Sequence, residues 1–78
     1  MSEESEDVSE ESKVRLATIA APYGREVRLE EVIFESGMRL MRVTIREGRR
    51  FTIMDIDTPT ASMWGKIMSD WAERALPG

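Results

Sequence analysis

The chain contains no cysteine and no histidine among its 78 residues. The absence of cysteine excludes a disulfide framework and thiolate chemistry. The absence of histidine removes the commonest general base and the commonest metal ligand. No apolar run approaches the roughly 18 residues that span a membrane, and the acidic amino-terminal stretch is unlike a secretory signal. We therefore expect a soluble, cytoplasmic protein.

Charge is distributed unevenly along the chain, which carries 11 basic and 15 acidic residues. Residues 2–12 hold six of the acidic residues, four serines and a single apolar residue, Val8. Such a stretch buries too little surface to offset its ordering entropy. We therefore predict a disordered acidic, Ser-rich tail at residues 1–12 and a single domain at residues 13–78. That domain carries 11 basic and 9 acidic residues, a net charge of +2.

Apolar alternation and turn residues divide the first part of the domain into strands. Short turns at 21–24, 36–37 and 47–50 separate segments that are rich in β-branched and apolar residues. Such turns between consecutive strands indicate an antiparallel meander. The predicted strands are residues 14–20, 25–35, 38–46 and 51–57.

After the fourth strand, the apolar residues recur at steps of three and four residues and no longer alternate. Thr58 is a candidate helix cap, and Pro59 suits the first helical position. We predict one helix over residues 59–76, with an apolar stripe formed by Trp64, Ile67, Met68, Trp71 and Ala75. The fold class is α+β: a four-stranded antiparallel β-meander with one C-terminal helix packed on one face (ββββα). Both tryptophans are expected to pack against the sheet.

The turns also predict which residues face each other. A hairpin centred on Gly48-Arg49 places Ile45 opposite Thr52, and one centred on Ser36-Gly37 places Val32 opposite Met41. A β-bulge at Glu30-Glu31 is then needed to keep the apolar residues in phase. The resulting core face is formed by Val27, Leu29, Val32, Phe34, Met41, Val43, Ile45, Met54 and Ile56.

The opposite face of the predicted sheet, the open face, mixes arginines with large apolar residues. Its expected members are Arg28, Ile33, Leu40, Arg42, Thr44, Arg46, Phe51, Ile53 and Asp55. This composition is typical of an interface, although arginine stems can also cover apolar residues and keep a face solvated. The candidate partner-binding residues are Arg28, Ile33, Leu40, Arg42, Arg46, Phe51 and Ile53.

Few residues suggest catalysis or metal binding. Asp55 and Asp57 lie on one side of a strand and could hold a hard cation, but pairing of Asp55 with Arg42 is the stronger interpretation. Serine and threonine nucleophiles have no evident base. We therefore predict no catalytic residue, no metal, no cofactor and no small-molecule ligand, and we expect that the protein is not an enzyme.

The order of elements resembles one known family. An acidic Ser-rich tail, a four-strand meander with Gly48-Arg49-Arg50 before the last strand, and a closing helix with tryptophan resemble the positive-cofactor type of transcriptional coactivator. This resemblance implies a dimer that binds single-stranded nucleic acid on a curved basic sheet. Such sites usually combine several stacking aromatics with a strongly positive groove, whereas here the open face has one aromatic, Phe51.

Two functions follow as expectations. The first is a small protein-interaction or accessory/assembly module that binds a protein partner, with a second copy of the chain as one candidate, through the open face. The alternative is a single-stranded nucleic-acid-binding protein of this coactivator-like plan. Its contacts would come from Arg28, Arg42, Arg46, Arg49, Arg50 and Phe51.

Overall fold

A computed structural model describes residues 10–76 as four strands followed by one α-helix. The strands pair in chain order, each antiparallel to the next. This architecture confirms the predicted four-stranded meander with a C-terminal helix. The elements are β1 (Glu10–Ala21), β2 (Arg25–Phe34), β3 (Arg39–Glu47), β4 (Arg50–Ile56) and α1 (Thr58–Ala75).

The amino-terminal boundary differs from the predicted one. Residues 1–9 of the predicted tail lie outside the described residues, whereas residues 10–12 open β1. The strand begins earlier than expected because backbone pairing with β2 does not depend on side-chain hydrophobicity. At its other end, β1 passes into β2 through a single 3₁₀ turn, Pro22–Gly24.

The hairpin between β3 and β4 has the predicted register. Ile45 lies opposite Thr52, Val43 opposite Met54 and Arg42 opposite Asp55. A two-residue turn joins the strands, and Gly48 adopts the left-handed φ of 63° that such turns favour.

The hairpin between β2 and β3 is one residue longer than predicted. The amide of Phe34 donates to the carbonyl of Met38 at 2.9 Å, and the amide of Gly37 donates to the carbonyl of Phe34 at 2.8 Å. The connection is thus a three-residue loop, 35–37, in which Gly37 has a φ of 91°. Three-residue hairpin loops characteristically end in such a left-handed residue. Val32 therefore lies opposite Leu40 and not opposite Met41.

This longer loop corrects the predicted faces of β2. The pairing of β2 with β3 runs without interruption, so the bulge predicted at Glu30-Glu31 is wrong. Opposite residues share a face, so Val32 and Phe34 lie on the open face. Ile33, assigned to the open face from the sequence, lies opposite Arg39 on the helix side. The register shift near this level is in β1, between Arg15 and Ala17.

The start of the helix is also corrected in detail. Asp57, and not Thr58, is the N-cap: its carboxylate accepts the amide of Thr60 at 3.0 Å. Asp57 has extended backbone angles, as an N-cap requires, whereas Thr58 is already helical. Pro59 remains within the first turn, where a missing amide costs no hydrogen bond.

The buried core is small. Among the described residues, the buried apolar side chains are Val32, Phe34, Val43 and Ile56. The helix approaches the sheet chiefly at β3. The sheet and the helix therefore leave much of each other uncovered.

Candidate protein-interaction surface

The helix side of the sheet is mainly apolar, apart from the ion pair of Arg39 with Glu31 at 3.3 Å near the loop at residues 35–37. Val27 and Leu29 of β2 lie opposite Ile45 and Val43 of β3, and the adjacent strands continue the same face. The additional apolar members of this face are Ala17, Ile19, Ile33, Met41, Met54 and Ile56. A face of this composition requires a covering layer.

The single helix covers only part of this face. Trp64 is half-buried, but Trp71, one stripe position later, is 62% exposed, and Ile67 and Met68 are exposed to a similar extent. The prediction that both tryptophans pack against the sheet is therefore wrong for Trp71. The helix approaches the sheet chiefly at β3, and a cavity, instead of close packing, lies between the sheet and Trp64, Gly65 and Met68.

Apolar groups on the outer strands are likewise uncovered. Leu16 and Ile19 of β1 and Met54 of β4 are each about half-exposed. Together with the exposed part of the helix stripe, these are exposed apolar residues on the helix side of the sheet, which we call the helix-side apolar surface. It consists of Leu16, Ile19, Met54, Ile67, Met68 and Trp71.

A cavity of about 350 Å³ lies between the helix and the sheet. Trp64, Gly65 and Met68 line it from the helix. A Cβ atom at Gly65 would meet no heavy atom within 4 Å, so close packing does not require glycine there. The sheet contributes only apolar side chains to this cavity, namely Ile19, Val27, Leu29, Met41, Val43 and Ile56.

The open face differs because its arginines are paired with carboxylates. Arg42 donates to Asp55 through Nε at 2.8 Å and through a second guanidinium nitrogen at 3.0 Å. This bidentate hydrogen bonding lowers the pKa of Asp55, so the carboxylate keeps its charge to a lower pH than an unpaired aspartate. The pairing expected from the sequence between these two residues is confirmed.

A second group of charges balances the other end of the open face. Glu26 accepts from Arg46 at 3.2 Å and from Arg28 at 3.2 Å, and these contacts lower the pKa of Glu26, the bond from Arg46 most. The Arg28 guanidinium also lies 6.0 Å from the centre of the Phe51 ring. Thr44, flanked by Arg28 and Ile53 in the register, is buried. This burial agrees with the alternative in which arginine stems cover the face.

The predicted partner-binding residues are brought together with one exception. Six of them lie on the open face, and Ile33 lies on the opposite one. Phe51 and Ile53 are the strongly exposed apolar members, at 52% and 59%.

Sequence reasoning missed the exposure of the helix stripe. A signal was present in Met63 and Met68, since flexible methionines are frequent at adaptable binding surfaces.

The carboxylates considered as a metal site have other roles. Asp55 is engaged by Arg42 and Asp57 caps α1. Within residues 10–76, no three acidic side chains cluster in a way that would hold a metal ion. Within the same residues, no helix combines the length and apolar content needed to cross a membrane.

A comparison with protein-family models matches residues 10–74 to a family of unknown function, DUF6967. The chain belongs to this family. The match begins at the first residue of β1 and ends one residue before the end of α1, so it covers every element that forms the helix-side apolar surface. No curated protein and no solved structure matches the chain.

Proposed function

We propose that this chain is a non-enzymatic protein-interaction module of the cytoplasm that binds a partner protein through the helix-side apolar surface. The observation that carries the proposal is the exposure of the helix stripe, with Trp71 at its centre, beside an apolar sheet face. Single exposed apolar residues are ordinary, but contiguous sets mark binding sites. The absence of cysteine fits a compartment in which disulfides do not form.

The size of the surface suits a stable contact. Each of the six half-exposed apolar side chains exposes on the order of 50–100 Å² to solvent. The helix-side apolar surface therefore exposes about 300–600 Å² of apolar area. A standard interface buries about 800 Å² per partner, of which somewhat more than half is apolar. Tryptophan is among the residues that most often dominate binding energy, which makes Trp71 the expected anchor.

The shape of the site defines the chemistry of the partner. The cavity between Trp64, Met68 and the sheet is lined by apolar side chains, and Met68 belongs both to this lining and to the helix-side apolar surface. An apolar side chain of the partner would fill it and gain burial without leaving a polar group unpaired. The partner therefore presents an apolar segment, and not an acidic or a phosphorylated one.

The open face is the weaker candidate for this contact. Its Arg28, Arg42 and Arg46 are already balanced by Glu26 and Asp55, and breaking those pairs would cost desolvation of the separated charges. The same balance argues against strong binding of single-stranded nucleic acid, which requires arginines available for phosphates.

Site-specific photo-crosslinking in the cells that make this protein tests the proposal. A photoreactive amino acid at position 71 should form a discrete crosslink to another protein, whereas one at position 69 should not. Ser69 lies on the opposite, polar face of α1. Ile67→Lys should abolish the crosslink at position 71, because it places a charge on the apolar surface. Equal crosslinking from positions 71 and 69, or no effect of Ile67→Lys, would refute the proposal.

A further inference from the structure

The two edges of the sheet are built differently. In β1 the pairing with β2 shifts register between Glu10 and Ser12 and again between Arg15 and Ala17. Bulges and basic residues such as Lys13 and Arg15 are the usual devices that keep an edge strand from pairing with another chain. β1 is therefore a protected edge.

β4 carries no bulge, and its charged residues, Arg50 and Asp55, lie near its two ends. Its pairing with β3 runs without interruption from Arg50 to Ile56, and it contains no lysine and no proline. Phe51, Ile53 and Met54 on this strand are all exposed. A regular, exposed and apolar edge strand is a template for pairing with another chain. The contrast with β1 selects β4 as the edge that receives a further strand.

We propose that β4 pairs antiparallel with β4 of a second copy of this chain, about a two-fold axis that passes beside Thr52. A two-fold axis perpendicular to the sheet pairs strands antiparallel and keeps both faces continuous, so opposite residues must be of the same face. The axis therefore passes beside a residue and its own copy, and not between two positions.

The side chains of β4 select Thr52 as the residue on the axis. In this register, Phe51 lies opposite Ile53 of the second copy, and Thr52 lies opposite its own copy. Aromatic–β-branched pairs and threonine pairs are among the favourable cross-strand combinations. Arg50 falls opposite Met54 of the second copy. Arg49, in the turn before β4, lies level with Asp55 of the second copy and adds an opposite charge beside the Arg42–Asp55 pair. A register centred on Ile53 would instead place Phe51 opposite Asp55, an aromatic ring against a carboxylate.

The pairing would join two four-stranded sheets into one sheet of eight strands. Both helices lie on the same side of that sheet, so the two helix-side apolar surfaces face the same direction. The dimer contact is centred on Phe51, Thr52 and Ile53, and it shares only Met54, opposite Arg50 of the second copy, with the helix-side apolar surface. Ile53 belongs to the dimer contact alone, and Trp71 belongs to the helix-side apolar surface alone. Dimerisation and partner binding can therefore be tested and refuted separately.

Sedimentation of the full chain tests the dimer. The parent should sediment as twice the 8.9 kDa chain mass, and Ile53→Lys should be monomeric because it places a charge in the new pairing. The matched control is Thr18→Lys, a lysine at an exposed position on the same face of the other edge strand. This control should remain dimeric. A monomeric parent, or a dimer that survives Ile53→Lys, would overturn the inference.

A cysteine scan tests the register and remains informative if Ile53→Lys fails to fold. The chain has no cysteine of its own, so single variants Arg50→Cys, Thr52→Cys and Met54→Cys each introduce one thiol. Mild oxidation should crosslink Thr52→Cys fastest, because only this residue meets its own copy at disulfide distance. Faster crosslinking at position 50 or 54, or at the Thr18→Cys control, would contradict the proposed register.

Discussion

At the scale of single residues, the pairing of Arg42 with Asp55 is the feature most open to sequence reasoning. Both residues fall on the open face once the turn at Gly48-Arg49 is placed, and the guanidinium then reaches the carboxylate at 2.8 Å. The prediction succeeded because this turn has two residues and leaves one register. The turn at residues 35–37 misled because Ser36-Gly37 also fits a two-residue loop. The choice of loop changed the faces of Val32, Ile33 and Phe34. Val27 and Leu29 lie on the predicted face, because the predicted bulge compensated for the loop.

Three carboxylates with lowered pKa values, Glu26, Asp55 and Asp57, link stability to acid pH. Contacts with Arg42 lower the pKa of Asp55, and hydrogen bonds from Thr60 lower that of Asp57, from ordinary values of 3.8. The unfolded chain then binds protons before the folded one, so stability is constant above about pH 5 and falls as the pH drops below about 4. Thermal melts of the double variant Asp55→Asn/Asp57→Asn should show a shallower acid dependence than melts of the parent. An unchanged acid dependence would contradict this assignment.

Replacing glycine by alanine should have opposite effects on the free energy of unfolding in the loop at residues 35–37 and in α1. Gly37 has a φ of 91°, so Gly37→Ala should lower the free energy of unfolding by about 1–2 kcal/mol. Gly65 is exposed in the helix and a Cβ there meets no heavy atom within 4 Å, so Gly65→Ala should raise it by about 0.8–1 kcal/mol. Urea unfolding of both variants measures the two effects. Effects of the same sign would be inconsistent with the described loop.

At the scale of the elements, the sequence predicts the helix stripe but not what covers it. The spacing of Trp64, Ile67, Met68 and Trp71 reports that one side of α1 is apolar, and periodicity carries no information about the surface opposite. The closeness of the helix to the sheet decides which stripe residues are buried, and the cavity beside Trp64 and Met68 shows that this approach is incomplete. Trp71 was therefore assigned to a core from a pattern that fits an interface equally well.

The two tryptophans should differ in their effect on stability. Trp64 is half-buried beside the cavity, so Trp64→Ala should cost about 2 kcal/mol of unfolding free energy, part of the 3–5 kcal/mol of a fully buried ring. Trp71 is 62% exposed, so Trp71→Ala should cost less than about 1 kcal/mol in the isolated chain. Equal losses in denaturant titrations would show that the helix packs along its whole length.

At the scale of the whole molecule, the charge of the open face is largely internal. Arg28, Arg42 and Arg46 each contact a carboxylate. Arg49 and Arg50, at the turn before β4, are exposed to solvent. The resemblance to a single-strand-binding coactivator rests on the order of elements, which different functions can share.

Binding to single-stranded oligonucleotides should consequently be weak. We expect no saturable binding at physiological salt and, at low salt, a shallow dependence that reflects one or two phosphate contacts from Arg49 and Arg50. Fluorescence anisotropy of a labelled oligonucleotide at two salt concentrations measures this. A log–log slope corresponding to several phosphates, together with loss of binding in Arg42→Ala, would favour the nucleic-acid alternative.

The most direct test of the central claim, that a partner protein covers the helix-side apolar surface, is oxidative footprinting of methionines in cells and in the purified chain. Met68 and Met38 have similar exposure, 57% and 52%, but only Met68 belongs to the surface. Mass spectrometry should find equal oxidation of the two in the purified chain and selective protection of Met68 in cells. Equal oxidation of Met68 and Met38 in cells would contradict the claim.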